Sequence, residues 1–168
     1  DFTFGFTNTF TYRNFSLKVF LRGSVGGDVM NMAWGSTPYR MIANGPRLWL
    51  NRWQSPENPG DGKTPRVKLT NRGIIDFEQL DSTFIEDGSF LNIQNISLSY
   101  RVPNSLIKKI RLNNLVFTFT VNNAYMWTKY TGYNPEGRMN IGSTLAPGVD
   151  WGTYPLARTY MFTIATNF

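Results

Sequence analysis

The segment Thr159-Tyr160-Met161-Phe162-Thr163-Ile164-Ala165-Thr166-Asn167-Phe168 decides the fold. Read as an extended strand, Tyr160, Phe162, Ile164, Thr166 and Phe168 share one face, and Thr159, Met161, Thr163, Ala165 and Asn167 share the other. Neither face carries a charge. A soluble strand usually reads apolar toward the core and charged toward water. Here an apolar face ending in an aromatic stands opposite small or neutral groups, the pattern of a strand between lipid and a wet barrel interior. The last strand of a soluble β-sandwich also fits these ten residues, so the rest of the chain must separate the two.

Working outward, the same two-residue period recurs in four more segments. Residues 2–12 set Phe2, Phe4, Phe6, Phe10 and Tyr12 against Thr3, Gly5, Thr7, Thr9 and Thr11, a length that matches the roughly 9 to 11 residues of a transmembrane strand. A tight turn at Arg13 and Asn14 leads to a strand over 15–22, with Phe15, Leu17, Val19 and Leu21 on one face and both charges, Lys18 and Arg22, on the other. A third strand over about 90–102 places Ile96, Leu98, Tyr100 and Val102 opposite Asn95, Ser97, Ser99 and Arg101. Its first half is out of phase, since Asn92 and Gln94 fall with the apolar set and Leu91 and Ile93 with the polar one. Either the strand leaves the bilayer there or a bulge resets the phase. The fourth, about 112–127, alternates Leu115, Phe117, Phe119, Val121, Tyr125 and Trp127 with Val116, Thr118, Thr120, Asn122 and Ala124, and the fifth is 157–168.

The connections run short, long, short, long. The long ones, about 23–88 and 128–156, hold Gly26-Gly27, Asn44-Gly45-Pro46 and the run Ser55-Pro56-Glu57-Asn58-Pro59-Gly60-Asp61-Gly62, which break regular structure. Outer-membrane barrels have this asymmetry, with short periplasmic turns and long extracellular loops. Five strands cannot stand alone in lipid, because the edge N–H and C=O groups would lack partners. Closing copies edge to edge would force a parallel pairing. Asp1 also opens directly on a strand, so the chain is expected to be a fragment of a larger barrel.

Composition narrows the classes. Aromatics make up 15% of the chain, with 13 Phe, 8 Tyr and 5 Trp, which favours strands. No run approaches the roughly 20 apolar residues of a membrane-spanning helix. With no Cys and no His, thiolate chemistry and the usual general base are absent. The net charge of +6 is scattered rather than gathered in a Lys/Arg stripe, which argues against a nucleic-acid partner.

Several motifs resemble the C-terminal barrel of SusC/RagA-type TonB-dependent transporters. They are Asp87-Gly88-Ser89-Phe90-Leu91-Asn92-Ile93-Gln94-Asn95-Ile96-Ser97-Leu98-Ser99-Tyr100, followed by Val102-Pro103 and Leu106-Ile107-Lys108-Lys109-Ile110, then Asn51-Arg52-Trp53-Gln54-Ser55-Pro56-Glu57-Asn58, Trp127-Thr128-Lys129-Tyr130-Thr131-Gly132-Tyr133-Asn134-Pro135-Glu136, and Gly148-Val149-Asp150-Trp151-Gly152-Thr153-Tyr154-Pro155 before Arg158-Thr159-Tyr160. The resemblance covers essentially the whole chain. It implies an all-β fold in which five antiparallel strands form the C-terminal part of a transmembrane barrel of about 22 strands. It also implies import of a glycan or oligopeptide across the cell outer membrane, a SusD-like lipoprotein over the outer face, and energy from TonB through the N-terminal part lacking here. The rest of the transporter and the lipid bilayer are the remaining partners, and no cofactor is expected. Phe168, with Tyr160, Phe162 and Ile164, resembles the terminal signal read by barrel-assembly machinery.

The loops hold the candidate contacts. Trp34, Tyr39, Trp49 and Trp53 in the first, and Tyr130, Tyr133, Trp151 and Tyr154 in the second, are placed to stack on sugar rings or peptide side chains, or to pack the loops and a lipoprotein lid. Asp76, Glu78, Asp81, Glu86 and Asp87 lack the alternation of a calcium loop, so no metal site is expected. Asp150 with Glu136 in the second loop could be imagined as a glycosidase dyad, and nothing places them on facing elements, so an enzyme is not expected. A soluble carbohydrate-binding β-sandwich is the alternative from another class.

Overall fold

The computed structural model describes residues 1–32, 47–64, 66, 82–108, 112–136 and 148–167, without the side chains of Leu48, Trp49 and Thr83. Among them the regular elements are β-strands, one short helix, α1 (Asn104–Ile107), and 3-10 turns at Arg47–Asn51 and Ser82–Phe84. It forms two compact units. One comprises Asp1–Gly27, Gly88–Lys129 and Pro155–Phe168, and the other Asp28–Asp87 and Tyr130–Tyr154.

The first unit is one antiparallel sheet of β1 (Phe2–Tyr12), β2 (Phe15–Val25), β5 (Phe90–Arg101), β6 (Asn114–Thr128) and β8 (Thr159–Asn167), in the order β1-β2-β5-β6-β8. Each strand lies beside the one before it in the sheet, an up-and-down course that needs no crossover. Arg13 makes the tight turn between β1 and β2 with φ 51°, a left-handed conformation few non-glycine residues adopt. The register carries the alternation across the sheet. Phe10, Leu17, Leu98, Phe119 and Phe162 form one continuous row over all five strands, and Thr9, Lys18, Ser97, Thr120 and Met161 form the next row on the opposite face.

The out-of-phase start of β5 is a bulge. Phe20 pairs with Asn95 and Leu21 with Ile93, so Gln94 has no counterpart on β2. On the other side Ile93 pairs with Tyr125 and Asn95 with Asn122, so Asn123 and Ala124 together oppose Gln94, and Asn123 takes φ 51°. One unpaired residue turns Leu91 and Ile93 onto the face of Ile96 and Leu98.

Neither face of this sheet is a buried core. Phe10 is 58% exposed, Phe119 45% and Phe162 64%, and every described residue of β8 is exposed. Gly23 admits the Phe4 ring across the β1–β2 ladder. A Cβ there would stand 2.6 Å from the ring and 2.9 Å from the Phe90 carbonyl oxygen.

The long connections, read from their Gly and Pro as irregular, supply the second unit. Its sheet orders β4 (Ile85–Asp87), β3 (Asp28–Asn31) and β7 (Val149–Asp150), with β3 antiparallel to β4 and parallel to β7. Strands of two to four residues are too short to show a period. Buried Val29, Met32 and Tyr130 belong to this unit.

Candidate functional site

Alternation sends the short polar side chains of β5, β6 and β8 to one face, where the register sets them opposite each other. Ser99 Oγ and Thr118 Oγ1 lie 3.0 Å apart, and Ser97 Oγ and Thr120 Oγ1 3.1 Å. Asn95 Nδ2 donates to Asn122 Oδ1 at 2.7 Å, and Asn122 Nδ2 donates to Thr159 Oγ1 at 3.2 Å. The result is a ladder of hydroxyls and amides joining three strands, each rung contributing a few tenths to about 1 kcal/mol. Lys18, Arg22 and Arg101 stand on the same face, with the Arg22 guanidinium 5.9 Å from the centre of the Phe90 ring.

The opposite face is apolar in zones. At the turn end, Tyr12, Phe15, Tyr100 and Phe117 form one row, with the Phe15 and Tyr100 rings 4.7 Å apart. At the far end Tyr125 and Trp127 meet edge to face at 4.7 Å. Between them lie Leu17, Val19, Leu98, Ile96 and Val121, joined by Phe119, which stacks on Tyr160 at 6.4 Å. Eight to ten residues of β6 separate the two aromatic bands, roughly 26–34 Å of strand. Tilted as barrel strands are, that spans about the 25 Å apolar band of an outer-membrane wall.

In the second unit, short strands and turns bring carboxylates onto backbone and hydroxyl donors. Glu86 on β4 accepts from Thr131 N–H at 2.7 Å, Thr131 Oγ1 at 2.7 Å and Asn31 Nδ2 at 2.9 Å. Asp150, fully buried beside Asn31 in the parallel pairing, accepts from Tyr130 Oη at 2.6 Å and from the N–H groups of Gly152 and Thr153 at 3.0 and 2.8 Å. Burial pushes the Tyr130 phenol well above the usual tyrosine range, and the hydrogen bond and negative charge of Asp150 add to it. A separate loop closes through Trp53 N–H to Thr64 O at 2.9 Å and Asp61 N–H to Asn51 O at 2.9 Å. Thr64 and Lys63 N–H groups and the Thr64 hydroxyl donate to Asp61 and hold its carboxyl below the usual range.

The candidate aromatics separate by environment. Tyr130 is buried in the Asp150 contact, Trp53 is half-buried, Trp151 is partly open, and Tyr133 and Tyr154 are 70% and 86% exposed. Trp34 and Tyr39, the side chain of Trp49, Asp76, Glu78, Asp81 and Phe168 lie outside the described residues. Tyr160, Phe162 and Ile164 stand exposed on the apolar face of β8. Glu136 is tied locally, its N–H donating to Asn134 Oδ1. Among the described residues, no group of three His, Cys, Asp or Glu is placed to hold a metal. The Glu86–Thr131–Asn31 clamp joins residues 45 to 100 positions apart, so nothing local in the sequence announces it.

No family model matches the chain. Its relatives are TonB-dependent receptors. Receptor P3 of Formosa agariphila is 29% identical over 175 residues, covering all of this chain and 16% of the receptor. SusC of Bacteroides thetaiotaomicron, also a TonB-dependent receptor, is 25% identical over 170 residues, covering all of this chain and 15% of SusC. The structure of the RagAB peptide transporter superposes with a TM-score of 0.74 at 23% identity, over 98% of this chain and 17% of that one, a likeness of fold. The chain thus spans about one sixth of the length of the curated relatives it matches.

Proposed function

We propose that this chain is barrel wall and extracellular loop of a TonB-dependent outer-membrane importer, working with a SusD-like lipoprotein to take up a glycan or oligopeptide. The observation that carries the reading is the spacing of the two aromatic bands on one face of a sheet whose other face is a polar ladder. A soluble sandwich would bury that aromatic row under a second sheet, and Phe10, Phe119 and Phe162 are open. The resemblance to SusC and the names of the relatives support import through TonB. Edge strands β1 and β8 would pair with the remaining wall, leaving no open edge in lipid.

In this reading the aromatic bands anchor at the two membrane interfaces, and the aliphatic side chains between them meet acyl chains together with Phe10, Phe119 and Phe162. The ladder lines the lumen with neutral donors and acceptors that leave passing cargo hydrated. The long loops are extracellular in this reading, and exposed Tyr133 and Tyr154 offer flat apolar faces to cargo or lid. Spin labels at 117, 119 and 121 in the full-length protein should be relaxed by lipid-dissolved oxygen, and those at 118 and 163 by a water-soluble nickel chelate. Uptake of labelled oligosaccharides or oligopeptides should vanish both without the gene and without TonB. Equal response of the two label sets would remove the barrel, and TonB-independent uptake would remove the energised importer.

A further inference from the structure

The sheet unit is charged unevenly. Asp1 is its only acidic residue, and it precedes β1 at the end away from the β1–β2 turn, roughly 35 Å of strand from Tyr12. The opposite end, where the two short connections lie, is basic. Arg13 makes the first turn, Arg101 ends β5, and the connection to β6 holds Lys108 and, in sequence, Lys109 and Arg111. Arg13 stands apart in where its charge is held. Its guanidinium carbon lies 5.3 Å from the centre of the Tyr12 ring, and Tyr12 begins the row of Phe15, Tyr100 and Phe117 on the apolar face. Tyr12 is 70% exposed, and Arg13 is exposed too. Among the described residues, no oxygen accepts a hydrogen bond from that guanidinium. With φ 51°, residue 13 adopts a conformation that costs glycine nothing and an arginine something, so the side chain is present in spite of the backbone.

We propose that Arg13, held over Tyr12, binds the phosphodiester of an anionic phospholipid in the leaflet that the short turns face. The inference rests on the apolar face meeting lipid, as in the function proposed above. Headgroups occupy a layer about 5–7 Å deep on each side of the hydrocarbon. Arg13 lies one residue beyond the aromatic row, about 3.3 Å of strand, and its long stem carries the charge into that layer. An aromatic ring attracts the cation without using its N–H groups as hydrogen-bond donors to oxygen, and a guanidinium matches two phosphate oxygens at once. Tyr12 and Tyr100 bring phenol donors to the same row. A zwitterionic headgroup would carry its own cation toward this basic end. An anionic one brings net negative charge, which the surrounding lysines and arginines favour. A polypeptide carboxylate would have to approach across the aromatic face, which lipid covers in this reading.

The test uses the full-length transporter in lipid nanodiscs, with phosphatidylglycerol bearing a photoreactive diazirine on its headgroup as the probe. Irradiation and peptide mapping should place adducts within residues 11–16. Their yield should fall about tenfold in Arg13→Gln, and severalfold when phosphatidylcholine carries the same diazirine. Unlabelled phosphatidylglycerol should compete, and inorganic phosphate should not. No adduct, a yield indifferent to Arg13, equal labelling by the two lipids, or competition by inorganic phosphate would each overturn the proposal. An Arg13 neutralised by a carboxylate of the neighbouring wall would show itself as the indifferent yield. If Arg13→Gln does not insert, the contrast between the two lipids in the wild type decides. The heat-modifiable folded band reports the barrel separately: its absence faults the barrel reading, and its presence with any of those overturning outcomes faults the lipid site alone.

Discussion

The Tyr130 hydroxyl donates to Asp150 Oδ2 at 2.6 Å, and both residues are buried, so this loop aromatic is the donor to a buried carboxylate. Asp150 in turn accepts the Gly152 and Thr153 N–H groups and shapes the turn after β7.

Tyr130→Phe should therefore loosen that turn by about 1–3 kcal/mol, because one carboxylate oxygen loses its donor in a dry site. Faster amide exchange at residues 149–153 in the intact protein checks it. The phenol is raised above its unfolded value, so its stabilisation is complete below about pH 10 and is lost as pH rises toward the folded value. The protection of these amides over the hydroxide-catalysed rate should fall above about pH 10 in the wild type, and the Phe variant should lack that alkaline step. An identical alkaline profile in both proteins would show that the bond does not hold the turn.

Phe119 lies in the row shared by all five strands, whereas Thr163 stands exposed on the polar face of β8. Arg in place of Phe119 should destabilise the full-length barrel by about 2–4 kcal/mol in denaturant titration, and Thr163→Arg by about 1 kcal/mol or less. Comparable losses at both positions would mean that the two faces do not meet different solvents.

Gly60 takes φ 68°, and a Cβ there would run into the Asn51 and Arg52 carbonyl oxygens. Gly60→Ala should open the loop that Asp61 closes, since backbone cannot yield as a flexible side chain can. Protease nicking between Ser55 and Lys63 should rise while the folded barrel band stays constant. For Asp61, whose folded carboxyl is depressed, loop closure should be complete above about pH 4 and be lost as pH falls through the folded value. A loop equally resistant in wild type and Gly60→Ala would show that the glycine is dispensable.

Deleting Phe168, or replacing Phe162 with Lys, should lower the amount of heat-modifiable barrel in the outer membrane by about tenfold, because the assembly signal proposed for β8 runs through its aromatic period. Wild-type levels of both variants would place the signal elsewhere.

Most of the sheet was legible in residue order. A strand's side chains alternate by covalent geometry, so Phe2 to Tyr12, Leu115 to Trp127 and Tyr160 to Ile164 announce their faces without reference to any neighbour. Short turns announced the pairing of β1 with β2 and of β5 with β6, whereas the pairings of β2 with β5 and of β6 with β8 close over the long connections. The phase break in β5 was visible too, but a bulge and a departure from the bilayer look alike along one strand. The pairing of Ile93 with both Leu21 and Tyr125 distinguishes them.

The loop unit was opaque for a physical reason. β4, β3 and β7 have three, four and two residues, below the length at which a period exists. The bonds of Glu86 to Thr131 and of Asn31 to Thr131 span 45 and 100 residues. Tyr130 and Tyr133 are three residues apart and chemically alike, so residue type could not tell which would be buried on Asp150 and which left open. That difference arises only when Asp150 is brought beside Asn31 by pairing across the chain. Arg101 likewise reads in order as one more cation on the polar face, and only antiparallel pairing carries it beside the Arg13–Asn14 turn. Alternation is local and survives in the order of residues; juxtaposition depends on long-range closure, which no local pattern encodes.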